Sequence, residues 1–292
     1  MTSPSIIATR FHDRAALEVR GSERISWLNG LVTCELAKLG PGEGAYGLIV
    51  EKKGRIQADL FVVPAAAGDA VVLAVPAAAR EALAATLDHY LVMEDAEVAQ
   101  LELAFHELHG PGAAEVAAAS GAPYRGTLPQ LGGAIVAAPA DDAAFVERLG
   151  RALADAGGAI VDEAAWEALR IERGLPRFGV EFDATLYPQE AALEKVAVSF
   201  DKGCYLGQEV VYMLENRGHV KRKLVPLEID GDGVLAPGTP VTTPDGAPTG
   251  EVKSAALGPT TRRLVAIAMV KWAHAKPGTE LRVGDRTARV RG

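Results

Sequence analysis

Residues 42–65 read GEGAYGLIVEKKGRIQADLFVVPA, and this stretch decides the class of fold that the sequence predicts. Its apolar runs AYGLIV (45–50) and IQADLFVV (56–63) lie on either side of the polar sequence EKKGR. Two such runs joined by a Gly-containing turn are typical of two paired strands. We therefore predict a strand pair here, with the carboxylate of Asp59 inside the second strand.

The sequence around this strand pair mixes helical and strand patterns. Before it, SERISWLNGLVTCELAKL (22–39) has the apolar spacing of an amphipathic helix, with Ser22 as the expected N-cap and Cys34 inside the helix. Further strand patterns lie at 70–76 and 96–110, and further helical patterns lie at 78–91, 111–120, 141–158 and 162–176. This mixture predicts the α+β class.

From about residue 223 the pattern changes to short β-like runs separated by Asp-Gly and Pro-Gly turns. Strands at this spacing are typical of a small antiparallel barrel or sandwich. We therefore predict an α+β region at 1–222 and a C-terminal β-domain at 223–292.

The composition limits the classes of function. The chain has 292 residues, a net charge of -8 and a pI near 5.4, so any RNA contact needs a local basic patch. Apolar runs are too short to span a bilayer, and MTSPSIIATRFHD lacks the regions of a secretory signal. The two cysteines, Cys34 and Cys204, do not make a disulfide framework. We expect a cytoplasmic protein with reduced thiols, no membrane association and no strong general nucleic-acid binding.

The sequence KGCYLGQE (202–209) places Cys204 just before a predicted helix in GQEVVYMLEN. A helix N-terminus and the nearby Lys202 both favour a thiolate, which is the physical argument for a reactive cysteine. The alternative is a small buried apolar residue, a common role of a free cysteine. Glycines at 203 and 207 would let the backbone approach another group closely.

Other polar features lie near this segment or in earlier strands. Glu172, in LRIERGLP, is either a solvated helix residue paired with an Arg or a carboxylate facing an N–H-rich ligand ring. His106 and His109 are spaced to point to opposite faces of a strand, so we expect no metal site. A basic run is either a solvated face or an anion site for a polyanionic ligand tail or an RNA phosphate. It comprises Arg217, His219, Lys221, Arg222 and Lys223.

Together these stretches resemble the glycine-cleavage T-protein (aminomethyltransferase) superfamily, and within it the YgfZ-type folate-binding proteins. KGCYLGQE matches the YgfZ signature Lys-Gly-Cys-aromatic-x-Gly-Gln-Glu at every fixed position. LRIERGLPRFGVEFDATLYPQEA (169–191) is similar to the superfamily segment in which Arg-x-Glu-x-Gly precedes Pro-x-Glu. Weaker similarities at 21–63 and 105–118 are collinear with these, and the matches run from about residue 11 into the C-terminal β-domain.

The resemblance implies interleaved ferredoxin-like α+β parts around a central folate site, followed by an antiparallel β-barrel. It implies tetrahydrofolate or another reduced folate as the cofactor, with Glu172 bonded to the pterin ring. The other residues expected at the folate are Lys202, Gly203, Tyr205 and Arg222. A monomer is the default for this architecture.

Two groups of proteins within the superfamily differ at the positions of Cys204 and Asp59 of this chain. YgfZ-type proteins carry the Lys-Gly-Cys and are associated with iron–sulfur enzyme maintenance and bacterial tRNA thiomodification. T-proteins lack it and use an aspartate at about the position of Asp59. We favour a folate-binding accessory protein of iron–sulfur metabolism and tRNA modification, with Cys204 as a redox or transient covalent partner and iron–sulfur enzymes as clients. The alternative is a folate-dependent aminomethyl or one-carbon transferase in which Asp59 orients or deprotonates the folate amine. A non-catalytic folate-sensing scaffold would depend on neither residue.

Overall fold

The computed structural model describes residues 6–292, which form two compact units. The first unit contains the described residues up to 51 together with 57–162 and 196–206, and the second contains 52–56, 163–195 and 207–292. Residues 1–5 of MTSPSIIATRFHD, the stretch behind the prediction of no secretory signal, lie outside the described residues. The domain boundary at residue 222 stays a prediction.

The first unit contains two five-stranded sheets and the helices that cover them. Its elements are β1 (Ile7–Phe11), β2 (Arg14–Arg20), α1 (Arg24–Asn29), β3 (Ala45–Val50), β4 (Ile56–Pro64), β5 (Ala70–Pro76), α2 (Arg80–His89), β6 (Glu97–Leu101), β7 (Leu103–His109), α3 (Ala113–Ala119), β8 (Tyr124–Leu128), β9 (Gly133–Pro139), α4 (Ala143–Asp155) and β10 (Ala159–Ile160). The strand order is β3-β4-β5-β2-β6 in the first sheet and β10-β1-β7-β9-β8 in the second.

The predicted strand pair at 42–65 is confirmed as β3 and β4, neighbours at one edge of the first sheet. All residues of β3 are buried, and β4 is buried except at Gln57 and Pro64. Leu60 of β4 packs in one apolar cluster with Leu73 of β5 and with side chains of α1 and α2. Burying a side chain of this size contributes about 1.5–3 kcal/mol, so this cluster fixes the sheet and the position of Asp59 within it.

The first helix is shorter than we predicted. Helix α1 ends at Asn29, and the Gly30 N–H closes its last turn on the Trp27 carbonyl at 3.0 Å. The chain then forms an isolated bridge from Val32 to Ile49 of β3. Residues 30–36 therefore lie against the sheet in place of continuing the helix. Their apolar side chains are buried against the sheet, as they would be in a helix, so the local helical pattern does not decide the conformation.

Two predictions for this helix are wrong as a result. Cys34 lies beyond the end of the helix. Ser22 is not the N-cap, because Glu23 occupies that position and the Ser22 hydroxyl donates to the Asp95 carboxylate at 2.5 Å.

The remaining predicted elements of this unit are found, with one division. The stretch 96–110 forms two strands, β6 in the first sheet and β7 in the second. Helix α4 begins at Asp142, whose carboxylate accepts from the Phe145 N–H at 2.9 Å, and Gly157 closes it with φ +71°. Strands β1, β2, β8, β9 and β10 were not predicted, since their alternation is weak.

The second unit contains two helices and a closed six-stranded antiparallel barrel. Its elements are α5 (Glu163–Arg173), α6 (Gln208–Asn216), β11 (Arg222–Ile229), β12 (Pro240–Thr242), β13 (Pro248–Leu257), β14 (Leu264–Lys271), β15 (Glu280–Val283) and β16 (Arg286–Val290). The strands follow the order β11-β14-β13-β12-β15-β16, and alternate residues such as Leu227, Val252 and Leu281 fill the interior. The α+β class with a C-terminal antiparallel barrel is confirmed. Among residues 6–292 no helix is long and apolar enough to cross a membrane.

Candidate functional site

The sequence KGCYLGQE forms a turn that exposes its thiol and buries its flanks. Cys204 is a free, exposed cysteine and Gly203 is exposed beside it. Lys202 and Tyr205 on either side are only 8% and 7% exposed. Cys204 is therefore not the buried apolar residue of the alternative interpretation, whereas Cys34 is buried and only 5% exposed. Burial raises the pKa of the Cys34 thiol to about 12.

Lys202 anchors one side of this turn. Its ammonium donates to the carbonyls of Val32 at 2.9 Å and Cys34 at 2.6 Å. Burial lowers the pKa of Lys202 to about 8, although Cys34 and Glu35 act in the opposite direction. Within the described residues, both hydrogen bonds of this ammonium go to main-chain oxygens. Lys202 therefore does not stabilise a Cys204 thiolate through a hydrogen bond.

Further bonds join the thiol loop, which we define as residues 197–206, to the segment after α1. The Thr33 hydroxyl donates to the Ala197 carbonyl at 2.6 Å, and the Ser199 N–H donates to the Thr33 carbonyl at 2.9 Å. The Leu206 N–H donates to the Gly30 carbonyl at 3.1 Å. The loop is thus hydrogen-bonded near both ends, and these bonds fix the position of the exposed Cys204 thiol.

Tyr205 carries an unused polar group. Its ring lies 5.4 Å from the Lys202 ammonium, and its buried hydroxyl has no hydrogen-bond partner within residues 6–292. Burial raises the pKa of Tyr205 to about 12. An unsatisfied buried hydroxyl costs about 1–3 kcal/mol, so a group that bonded to it would stabilise this turn.

The two glycines of the loop region differ. Gly207 has φ +76° as the cap residue of α6, a conformation that disfavours a side chain. A Cβ added at Gly203 would meet no atom within 4 Å. Crowding within the described chain therefore does not require glycine at 203.

Asp59 is buried in an ion pair that the sequence did not indicate. Its carboxylate accepts from both terminal nitrogens of Arg14 at 2.8 Å and from the Tyr46 hydroxyl at 3.0 Å, and it is 1% exposed. Burial alone would lower the pKa of Arg14, but the charge and hydrogen bonds of Asp59 raise it above its ordinary value. Burial and the Asp59 charge also raise the pKa of Tyr46. Because the carboxylate is 1% exposed, a direct role as a base would require the side chains around it to move.

Glu172 is not a solvated helix residue. It lies at the end of α5, is 6% exposed, and accepts from the Thr260 N–H at 3.1 Å, the Thr261 N–H at 2.7 Å and the Thr261 hydroxyl at 2.5 Å. Burial would raise the pKa of Glu172, but these donors outweigh it and the pKa is lowered. A Cβ at Gly258 would come within 2.4 Å of the carboxylate, so a side chain at this position would displace Glu172.

This arrangement leaves limited capacity for a ligand at Glu172. A carboxylate has about four lone-pair sites, of which the loop uses three. A hydrogen bond from the Thr260 side chain also lowers the pKa of Glu172, so the fourth site is not free of the loop. A ligand that bonds to Glu172 would therefore replace one of the donors of this turn.

Arg222 begins β11 and faces a cavity of about 150 Å³ in the second unit, lined also by Lys253 and Asp183. Its side chain is half exposed, and its Nε lies 3.3 Å from the Glu190 carboxylate. Hydrogen bonds from Thr185 and the charges of both cations lower the pKa of Asp183. Lys253 is also 2.5 Å from the Glu251 carboxylate, so an anionic ligand group at this cavity would compete with carboxylates of the chain for both cations.

The two predicted histidines lie on β7 and are buried. Burial lowers the pKa of His106 to about 4, with the charges of Arg10 and His12 acting in the same direction. The His109 ring nitrogen is 2.9 Å from the Glu107 carboxylate. Residues 6–292 contain no group of three His, Cys, Asp or Glu side chains that could hold a metal ion.

Within the first unit the predicted residues belong to separate networks, since Lys202 bonds to the main chain and Asp59 bonds to Arg14 and Tyr46. Sequence reasoning missed Arg14, Tyr46 and the Thr260–Thr261 turn. The turn is 88 and 89 residues from Glu172, so no local pattern could join them.

Comparisons with known proteins agree with this fold. Residues 11–122 match the GCVT N-terminal domain, and residues 222–292 match the glycine cleavage T-protein C-terminal barrel domain. The aminomethyltransferase of Parafrankia sp. is 26% identical over 283 residues, which are 86% of this chain and 74% of that protein. The mitochondrial aminomethyltransferase of Homo sapiens is 26% identical over 301 residues, 92% of this chain and 73% of that protein.

Two other similarities differ in extent. The aminomethyltransferase of Herpetosiphon aurantiacus is 35% identical over 146 residues, but these are 50% of this chain and 40% of that protein. The crystal structure of glycine cleavage system aminomethyltransferase T from Bartonella henselae has a TM-score of 0.81 and 23% identity, with 100% of this chain and 86% of that chain covered. This likeness shows that the fold is shared.

Proposed function

Because the chain belongs to the glycine-cleavage T-protein superfamily, we propose that it binds tetrahydrofolate and catalyses a folate-dependent one-carbon transfer of the aminomethyl type. The observation that carries this proposal is the presence of both family domains in order, with aminomethyltransferase similarity along 86% and 92% of the chain. Bound tetrahydrofolate supplies the nitrogen that carries the one-carbon unit.

The second unit offers groups that fit such a ligand. The Glu172 carboxylate suits an N–H donor of the pterin ring that replaces one of its Thr260 or Thr261 donors, and the lowered pKa keeps this carboxylate ionised. Arg222 and Lys253 suit the carboxylates of the glutamate tail. These pairings support Glu172 and Arg222 as folate-binding residues.

The first unit supports the proposal through fewer groups. Tyr205 offers an unpaired hydroxyl, and exposed Gly203 leaves space beside the chain. Lys202 acts by holding the thiol loop. Asp59 holds Arg14 and Tyr46 in place, so in this proposal we treat it as a positioning residue whose direct participation is the question for experiment.

Titration calorimetry of tetrahydrofolate tests the ligand. We expect the unmodified protein to bind, and Glu172→Gln to bind about tenfold or more weakly, because a hydrogen bond to a charged group contributes roughly 1.5–3 kcal/mol. Glu280→Gln, at an exposed barrel position, is the matched control. Melting temperatures of all three proteins separate lost affinity from lost folding. Equal affinity in Glu172→Gln would remove Glu172 from the folate site.

Turnover tests the reaction. With an aminomethyl-lipoyl carrier and tetrahydrofolate, we expect release of ammonia and formation of methylenetetrahydrofolate. Folate binding without turnover on this donor would contradict the transferase assignment while leaving the folate site intact.

A second function is favoured by one observation, the exposed Cys204 on a loop that is bonded at both ends. This arrangement suits a YgfZ-type accessory role in iron–sulfur enzyme maintenance and tRNA thiomodification. In a strain that lacks the native gene, we expect Cys204→Ser to fail to restore iron–sulfur enzyme activity and Cys34→Ser to succeed. Full rescue by Cys204→Ser would exclude a thiol role.

A further inference from the structure

One surface of the second unit departs from the acidic character of the chain. We define the basic–aromatic face as the exposed residues Arg217, His219, Lys221, Lys271 and Trp272. The chain as a whole carries a net charge of -8, so a face with three permanent cations and no carboxylate in its sequence segments 217–223 and 271–272 is a local exception.

Three members of this face, His219, Lys221 and Trp272, are direct neighbours. The His219 ring stacks on the Trp272 ring, with centroids 4.2 Å apart and planes 9° apart. The main-chain N–H of Trp272 donates to the Lys221 carbonyl at 3.0 Å. Lys271 precedes Trp272 in the chain and is paired with Arg222, at the border of the face, across the β11–β14 ladder.

The cations of the face are not neutralised within the described chain. Arg222 and Lys223, which border the face, lie 3.3 Å from Glu190 and 2.5 Å from Glu194. For residues 6–292, Arg217 and Lys221 have no such carboxylate partner, and the Lys271 ammonium donates to the Pro248 carbonyl at 2.8 Å. These cations therefore remain available to an anion from outside.

We propose that the basic–aromatic face binds single-stranded nucleic acid. Its phosphates would lie at Arg217, Lys221 and Lys271, and an unpaired base would extend the His219–Trp272 stack. Flat rings beside cations are the combination that single-stranded nucleic acids bind, because stacking accepts any base and the cations follow the backbone. The bases of a duplex are already stacked on each other, so a duplex would contact only the cations of the face. An acidic protein would also contact only the cations, because its carboxylates do not stack on aromatic rings.

The chain contains its own reporter for this interaction. Trp272 is 40% exposed, whereas Trp27 and Trp166 are 7% and 6% exposed. A base that stacks on the face should therefore quench Trp272 fluorescence. We would titrate oligouridylate of about 12 nucleotides, labelled for anisotropy, at salt concentrations from about 50 to about 200 mM. We expect quenching, and an affinity that falls with salt with a log–log slope of about -2 for three phosphate contacts.

Variants separate the two parts of the proposal. Trp272→Ala should weaken oligouridylate binding on the order of tenfold and abolish quenching. Lys221→Ala should reduce the magnitude of the salt slope by about 0.7. Lys195→Ala, at another exposed lysine of this unit, is the matched control and should change neither quantity.

The proposal is overturned if oligouridylate fails to bind at about 50 mM salt. It is also overturned if Trp272→Ala binds oligouridylate as tightly as the unmodified protein, or if a duplex of equal length or heparin competes equally well. Folate binding and transfer should be unchanged in Trp272→Ala, so this test is independent of the proposed transferase function.

Discussion

Replacing Asp59 by Asn should unfold the first unit at a markedly lower urea concentration. The substitution removes a carboxylate that two Arg14 nitrogens approach at 2.8 Å and the Tyr46 hydroxyl approaches at 3.0 Å. The side chains of Arg14 and Asp59 are only 5% and 2% exposed, so water cannot replace the lost partner. The guanidinium then stays buried without its counter-ion.

The expected loss of unfolding free energy is about 3–5 kcal/mol, the usual cost of removing one partner of a buried ion pair. That is a large fraction of a typical domain stability of about 5–15 kcal/mol. The double variant Arg14→Met, Asp59→Leu should recover most of this loss, because it leaves no buried charge. The Tyr46 hydroxyl alone would then lack its partner.

Urea unfolding followed by Trp27 fluorescence measures this loss. Trp27 lies in the same unit as Asp59, and Phe at positions 166 and 272 removes the other tryptophan signals. A loss below about 1 kcal/mol for Asp59→Asn, or a double variant less stable than the single, would refute the ion-pair argument. The result also bears on function, because turnover of Asp59→Asn has meaning only after correction for the unfolded fraction.

Two further predictions concern titratable groups. The pKa of His106 is 6.5 for the ordinary group and about 4 in the folded chain, so the unfolded state binds the proton first as pH falls. Stability should therefore decrease by about 3 kcal/mol between about pH 6.5 and pH 4, and His106→Leu should remove this part of the slope in acid-dependent urea titrations. Native protein should react with a thiol reagent at Cys204 alone and at Cys34 only in denaturant, because Cys34 is buried with a pKa near 12; two rapid equivalents in native protein would contradict this assignment.

The sequence predicted most elements because their patterns are local. The strand pair at 42–65, helix α4 and the barrel strands each carry their own periodicity and turn residues. The first helix failed for the opposite reason. Its apolar spacing was correct, but burial of residues 31–36 against β3 satisfied the same side chains without a helix.

Periodicity and motifs such as KGCYLGQE are local features, and they were enough to predict the α+β class, the C-terminal β-domain and the superfamily. Tertiary structure alone decided what the polar residues of those motifs do. In the folded chain, Cys204 is exposed, Lys202 bonds to main-chain oxygens and Asp59 pairs with Arg14. The Glu172 carboxylate accepts a hydrogen bond from Thr260, which is 88 residues away in the sequence. A side chain's partner, burial and pKa depend on groups that meet only after folding, and sequence spacing carries no record of those meetings.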